Sequence, residues 1–351
     1  AGSSGCNKFG VAIDGCWIYN TIAADLLPAP GLELAAGNTV YQVSITNPNG
    51  SAGNSMTPVM AIGAVTDGFT SVGDIDGDGA LDVVVVRDKM YADGGGVWVW
   101  DPRTRATIAS ASAGASGGLA FIGDVTGDCI PEIGMAFSFE LRMYQYDGTP
   151  QLKLLYKLPT TDESGVTGIT MFDFNQDGKN ELLYRDETTL RILEGSTGNT
   201  LSSWPLKSGT YLEYPIVADV DHDGQAEILI NGFQKDSADY RDLRIYCFES
   251  AGAPWAPARS VWNQYGYHVT NVNDDLTIPR QPQNQAAVLP GHEDCLLPTC
   301  PAPYNAFLTQ ATYRTQQGCV QWPAKGDIAL HSTLRCGVEC RAISPLAGHC
   351  T

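Results

Sequence analysis

Four ten-residue segments of this chain place oxygen-bearing side chains at matching positions. They run Gly73–Asp82, Gly123–Glu132, Phe172–Glu181 and Ala218–Glu227, and they align without gaps. Counted from the first acid, positions 1, 3, 5 and 9 are Asp74, Asp76, Asp78 and Asp82 in the first copy. They are Asp124, Thr126, Asp128 and Glu132 in the second, and Asp173, Asn175, Asp177 and Glu181 in the third. The fourth copy has Asp219, Asp221, Asp223 and Glu227. Alternating oxygens on a tight turn converge on one point, and a glycine at position 6 permits the left-handed backbone that folds the loop around it. Hard oxygens in that number suit Ca²⁺ at about 2.3–2.6 Å, with the position-7 carbonyls of Ala80, Ile130, Lys179 and Gln225 as further ligands. An EF-hand would need its bidentate acid at position 12, where the first copy has Val85 in a strand-like run. One Asp-Gly cluster is an ordinary turn. Four in register, each closed by an acid at position 9, read as cation loops, because carboxylates crowded into one turn repel each other strongly without a cation.

The copies are unequal. The first and fourth carry full acidic sets and are expected to bind best, and the third exchanges one charge for the Asn175 amide. The second has Thr126 at position 3 and Cys129 in place of the glycine, a residue that meets steric resistance at positive φ; weaker binding is expected there. A degenerate fifth copy, Asn271–Pro279, has Leu276 at position 6 and Pro279 at position 9, which disfavours a metal. His222, at position 4 of its loop, reads as a solvated turn residue. Three to four Ca²⁺ ions are therefore expected.

Loops of this kind need rigid elements to hold them. The first acids are spaced by 50, 49 and 46 residues, so the chain is a repeat protein. Each copy follows an apolar run such as Leu119–Ile122 and precedes a β-rich run such as Val83–Val86 or Ile228–Ile230. A further strand ending in an acid comes later in each unit, at Val97–Asp101, Leu141–Asp147, Leu190–Glu194 and Leu243–Glu249. Short β-branched and aromatic runs between Gly-rich turns are strand signals, and no helical periodicity is sustained. Three to four strands per fifty-residue unit describe a blade, so the fold class is all-β, a β-propeller. Dividing 351 residues by the repeat suggests seven blades, with six or eight allowed. Further strand candidates are Gly10–Tyr19 and Thr39–Thr46. Residues 1–290 are read as the propeller and 291–351 as a Cys/Pro-rich C-terminal segment that completes or wraps it.

The formal charge of −18 and the lack of a Lys/Arg cluster exclude a nucleic-acid partner. Four bound divalent ions would bring that charge to −10. No apolar run approaches the roughly 20 residues of a membrane span. Residues Ala1–Gly10 hold no basic stretch followed by an apolar one, which reads as a processed product or an untargeted chain. The ten cysteines favour processing. Pairs Cys6/Cys16 and Cys295/Cys300 and the cluster Cys319, Cys336, Cys340 and Cys350 resemble disulfide stapling in an oxidising compartment. A zinc site is disfavoured, since Cys336 and Cys340 lack a second pair at zinc-ribbon spacing and only His331 and His349 lie nearby.

No catalytic constellation stands out, and the chain is read as non-enzymatic. Gly114–Gly118 matches the nucleophile-elbow pattern but lies in a Gly/Ser-rich turn between strands, not at a strand-to-helix turn. Trp98 and Trp100 alternate within a strand and read as packing between blades. Trp255, Trp262 and Tyr265 are the better candidates for an exposed surface, although packing is favoured there too.

The acidic loops, each after an aromatic-plus-aliphatic strand, resemble FG-GAP/VCBS repeats, as in the integrin α-subunit head and many secreted bacterial proteins. Residues 60–230 carry the strong part of the match. Arg259–Tyr267, Val272–Pro279 and Tyr304–Gln310 resemble stretches of large Bacteroidetes-type surface proteins. The resemblance implies a Ca²⁺-stabilised propeller, secreted or on the cell surface, that binds a protein or glycan ligand in adhesion. Two other readings remain: a self-assembling subunit of an extracellular filament or layer, in which the Cys-rich end would make the polymer contact, and a calcium-dependent carbohydrate-active enzyme such as a polysaccharide lyase.

Overall fold

The computed structural model describes residues 20–63, 67–87, 95–208, 212–233, 243–287, 302 and 304–311, and five short strand segments between Arg314 and Cys340. The chain is all-β, with one three-residue 3-10 helix at Val269–Asn271 among these residues. Four antiparallel four-stranded sheets follow one another along the sequence. They are β1 (Ile22–Ala24), β2 (Glu33–Ala36), β3 (Thr39–Ser44) and β4 (Ser55–Ala61); then β5 (Phe69–Gly73), β6 (Asp82–Arg87), β7 (Gly96–Asp101) and β8 (Ala106–Ser112). The third comprises β9 (Phe121–Gly123), β10 (Glu132–Phe137), β11 (Glu140–Gln145) and β12 (Lys153–Pro159). The fourth comprises β13 (Thr170–Phe172), β14 (Glu181–Arg185), β15 (Thr189–Leu193) and β16 (Thr200–Pro205). A fifth sheet has β17 (Ile216–Ala218), β18 (Glu227–Phe233) and β19 (Leu243–Ser250). Its outer edge is extended by Leu330–His331 and, in parallel, by Val338–Cys340. Each four-stranded sheet is a simple meander, and the arrangement is β-propeller-like.

The burial gradient explains why these runs form blades. Every residue of β5, β6, β10 and β14 is buried, whereas the outer strands β4, β8, β12 and β16 are largely exposed. A strand covered on both faces must be apolar throughout, as in Val83–Val86, each of which is fully buried. At roughly 2 kcal/mol per buried valine, those four contribute on the order of 8 kcal/mol of transfer free energy. The first strands of successive sheets lie side by side, β1 with β5, β5 with β9, β9 with β13 and β13 with β17. Each four-stranded sheet also carries a register shift between its third and fourth strands, at Val40/Tyr41, Val99/Trp100, Met143/Tyr144 and Ile192/Leu193. One irregularity recurring at one place marks the sheets as copies of a single unit, since bulges re-aim the side chains beside them.

The outcome differs from the sequence reading at both ends. Thr39–Ser44 is a strand as expected, and with β1, β2 and β4 it builds a complete sheet before the first acidic loop. Gly10–Tyr19 lies outside the described residues. The fifth repeat does not form a sheet: beyond Ser250 the chain runs irregularly, and Asn271–Pro279 follows a 3-10 turn with no flanking paired strands. The described residues thus hold five such sheets.

A late segment crosses the first strands instead. Ile122 and Phe307 exchange backbone hydrogen bonds at 3.0 and 2.8 Å, and Met171 N–H donates to Leu308 O at 3.1 Å. Gln310 Nε2 donates to Val217 O, and Gln285 Nε2 to Val72 O, each at 2.9 Å. Four neighbouring sheets are thereby tied by Gln285, Phe307, Leu308 and Gln310, and Phe307 and Leu308 are fully buried among them.

Candidate metal centres

Each acidic loop joins the first strand of a sheet to its second. The pairs Gly73↔Asp82, Gly123↔Glu132, Phe172↔Glu181 and Ala218↔Glu227 close the loop on both sides. Position 9 is therefore the first residue of a buried strand, which buries its carboxylate with it. One oxygen of each such acid accepts the N–H of position 2: Asp82 from Ile75 at 2.9 Å, Glu132 from Val125 at 2.9 Å, Glu181 from Phe174 at 2.9 Å and Glu227 from Val220 at 2.8 Å. Position 1 binds the turn itself. Asp74 accepts from Gly77, Asp78 and Gly79, and Asp173 from Asp177 and Gly178. Position 5 accepts the N–H of position 7, Ala80, Ile130, Lys179 or Gln225, at 2.9 to 3.0 Å. Position 6 has positive φ throughout, 87° at Gly79 and Gly178, 93° at Gly224 and 68° at Cys129, so the second loop carries the strain expected of a side chain there.

The same framework exists in the first sheet, where the sequence did not reveal it. Ala24 pairs with Glu33, and the intervening loop is as long as the others. Glu33 accepts the N–H of Leu26 at 3.1 Å, as each position-9 acid accepts that of position 2. Positions 3 and 5 there are Leu27 and Ala29, so this loop keeps the turn but lacks the converging oxygens. The comparison separates two roles. The acid at position 9 builds the turn wherever it occurs, and oxygens at positions 3 and 5 set the four acidic loops apart from this one.

What remains is the second oxygen of position 9. In the second loop Glu132 Oε1 accepts from Gln145 Nε2 at 3.0 Å, and in the third Glu181 Oε1 accepts from Asn175 Nδ2 at 3.4 Å. In the first and fourth loops Asp82 Oδ1 and Glu227 Oε1 are buried with no hydrogen-bond partner. A buried, unsatisfied carboxylate oxygen is costly, and a cation is the partner these surroundings accommodate. In those same two loops, oxygens of Asp74, Asp76 and Asp78, and of Asp219, Asp221 and Glu227, fall within 4.8 Å of one another. The donor set is all oxygen, which fits Ca²⁺.

Burial, with neighbouring carboxylates adding to it, raises these acids. Asp82, Glu181 and Glu227 are pushed up to about 8 and Glu132 to about 7. Asp173 also rises to about 7, chiefly through desolvation. His222 sits on the turn with φ 61°, its ring facing Ser260 Oγ at 3.1 Å, outside the oxygen cluster.

Residues 173–230 match the model of the FG-GAP-like repeat. The chain carries an FG-GAP-like repeat. That FG-GAP-like span includes both the third and the fourth acidic loops and the strands β14 to β17 between them. No curated protein sequence matches the chain. Among solved structures, the V. cholerae biofilm matrix protein Bap1 is similar with a TM-score of 0.56 and 15% identity, covering 85% of this chain and 77% of Bap1. The exotype rhamnogalacturonan lyase YesX is similar at TM-score 0.42 and 16% identity, over 65% of this chain and 46% of the lyase. The Bacillus licheniformis rhamnogalacturonan lyase PL11 gives 0.41 and 15%, over 65% and 48%. The chain spans about half the length of these lyases.

The aromatic candidates resolve into packing. Trp255, for which packing is the favoured reading, is fully buried, with its ring 4.6 Å from Phe174. Trp262 stacks on Tyr267 at 4.1 Å, and Tyr265 packs against Tyr214 at 5.1 Å. Of the cysteines expected in disulfides, Cys319 and Cys340 fall in short strand segments whose side chains are not described. Cys6, Cys16, Cys295, Cys300, Cys336 and Cys350 lie outside the described residues.

Proposed function

We propose that this protein is a non-catalytic, extracellular β-propeller whose acidic loops bind Ca²⁺ and stiffen a scaffold that meets a protein or glycan ligand. One observation carries the reading: in the first and fourth loops three carboxylates come within 4.8 Å of one another, and the position-9 acid of each loop, Asp82 or Glu227, has a buried oxygen with no hydrogen-bond partner. The FG-GAP-like repeat supports an exterior location, and the Cys/Pro-rich residues 291–351, with their expected disulfides, would complete or wrap the propeller. No helix among the described residues is long and apolar enough to cross a membrane.

Two features favour a scaffold over an enzyme. Phe307 and Leu308 fill the place where the first strands converge, which is where a lyase-like reading would need free acids or a Tyr/Arg pair. Among the described residues, the arginines that donate to a tyrosine hydroxyl, Arg142 to Tyr144 at 3.2 Å and Arg259 to Tyr267 at 3.4 Å, are each also bound by an acid, Glu140 and Asp274. Bap1 is a biofilm matrix protein, and its likeness to this chain is one of fold. Melting of the full chain in EGTA and in millimolar CaCl₂ tests the reading. Calcium is expected to raise the melting temperature by roughly 5 °C, as about 3 to 4 kcal/mol of linkage would in a chain of this length. Equal melting in both buffers refutes it.

A further inference from the structure

The register of the sheets sets one more residue beside each acidic loop. Glu33 pairs directly with Gln42 of β3. In the other sheets the pairs Val83↔Trp100, Ile133↔Tyr144, Leu182↔Leu193 and Ile228↔Phe248 carry the ladder to within one residue of the position-9 acid. The residues next in line are Asp101, Gln145, Glu194 and Glu249. Asp101 holds Arg103 Nε at 3.2 Å, and Arg103 Nη2 reaches Asp78 Oδ2 at 2.6 Å. Gln145 donates to Glu132 and Asp128, and Glu194 accepts from Thr197 Oγ1 at 2.5 Å in its following turn. In the fourth loop Glu249 is buried, and its carboxylate lies within 4.8 Å of oxygens of Asp221 and Asp223. Asp221 is in turn grouped with Asp219 and with Glu227, whose Oε1 is buried and without a partner.

We propose that Glu249 is a direct cation ligand, contributed across the sheet, and that it makes the fourth loop the tightest Ca²⁺ site of the chain. This deepens the calcium reading of the loops and rests on it. Ca²⁺ accepts six to eight oxygens in flexible geometry, so an added carboxylate strengthens its binding more than that of octahedral Mg²⁺. The first loop holds the opposite arrangement. Arg103, a built-in cation bound to Asp78, offsets part of the charge that would attract a metal.

Calorimetric titration of the chelated full chain with CaCl₂ alone tests this. The wild type is expected to show a tight class of sites. Glu249→Gln is expected to weaken that class by about tenfold or more, as loss of one charged ligand in a partly buried site does. Glu249→Asp, which keeps the charge, restores part of the affinity. Arg103→Gln is expected to tighten a weaker class. Cooperative melting of Glu249→Gln in EGTA separates loss of a ligand from loss of folding. Should Glu249→Gln not fold, Glu249→Asp and Arg103→Gln carry the test. If the tight constant survives in the Glu249 variants but disappears in Asp221→Asn, the proposal is overturned and the calcium reading stands. If the wild type takes up no calcium, both fall.

Discussion

Calcium binding to this protein should release protons, and the number follows from the loops. Without a cation, burial raises Asp82, Glu181 and Glu227 to about 8, and Glu132 and Asp173 to about 7. At pH 7 the first three are then roughly 90% protonated and the other two about half, so full loading should displace roughly three to four protons. At pH 9.5 almost none should be released. Titrations in two buffers of different ionisation enthalpy measure the count directly, and Glu227→Gln should lower it by about one. Stability has the matching sign. In chelator these acids hold protons that the unfolded chain has lost between about pH 4 and 8, so the metal-free protein should lose stability as pH rises through that window. Calcium removes that loss, because it takes the ionised form. Release near zero at pH 7, or a chelated protein that gains stability from pH 5 to 8, would show that these carboxylates are not sequestered as described.

Two further predictions concern the scaffold. Asn305 Nδ2 donates to Asp74 O at 2.7 Å and its Oδ1 accepts the Asp74 N–H at 2.8 Å, so Asn305→Ala should cost about 2 kcal/mol by denaturant melting and weaken calcium binding at the first loop. Trp255 is fully buried with no partner for its Nε1, so Trp255→Phe should change stability by less than about 1.5 kcal/mol, whereas Trp255→Ala should cost about 3 to 5.

The acidic loops were legible because their chemistry is local. Positions 1, 3, 5 and 9 lie within one turn, so their spacing alone sets the geometry, and the left-handed residue at position 6 shows as a glycine in three copies. The loop at Asp25–Glu33 was not legible, because Leu27 and Ala29 stand where the oxygens would be and only the Glu33–Leu26 hydrogen bond reveals the shared frame. Glu249 was visible as an acid ending a strand, yet nothing local places it against Asp221. The same sequence pattern pointed to Asp147 in the second repeat, where the register instead sets Gln145 beside Glu132.

The sequence by itself determined the all-β repeat unit, the four acidic loops and their inequality, since each depends on residues a few positions apart and on the conformations those residues allow. Only the tertiary structure decided that residues 22–61 build a sheet, that Asn271–Pro279 does not, and that Phe307–Gln310 cross the first strands. It alone separated the bare carboxylate oxygens of Asp82 and Glu227 from the satisfied ones of Glu132 and Glu181. The physical reason is the same in each case. Strand pairing and desolvation join groups tens to hundreds of residues apart, and no spacing along the chain records which groups will meet.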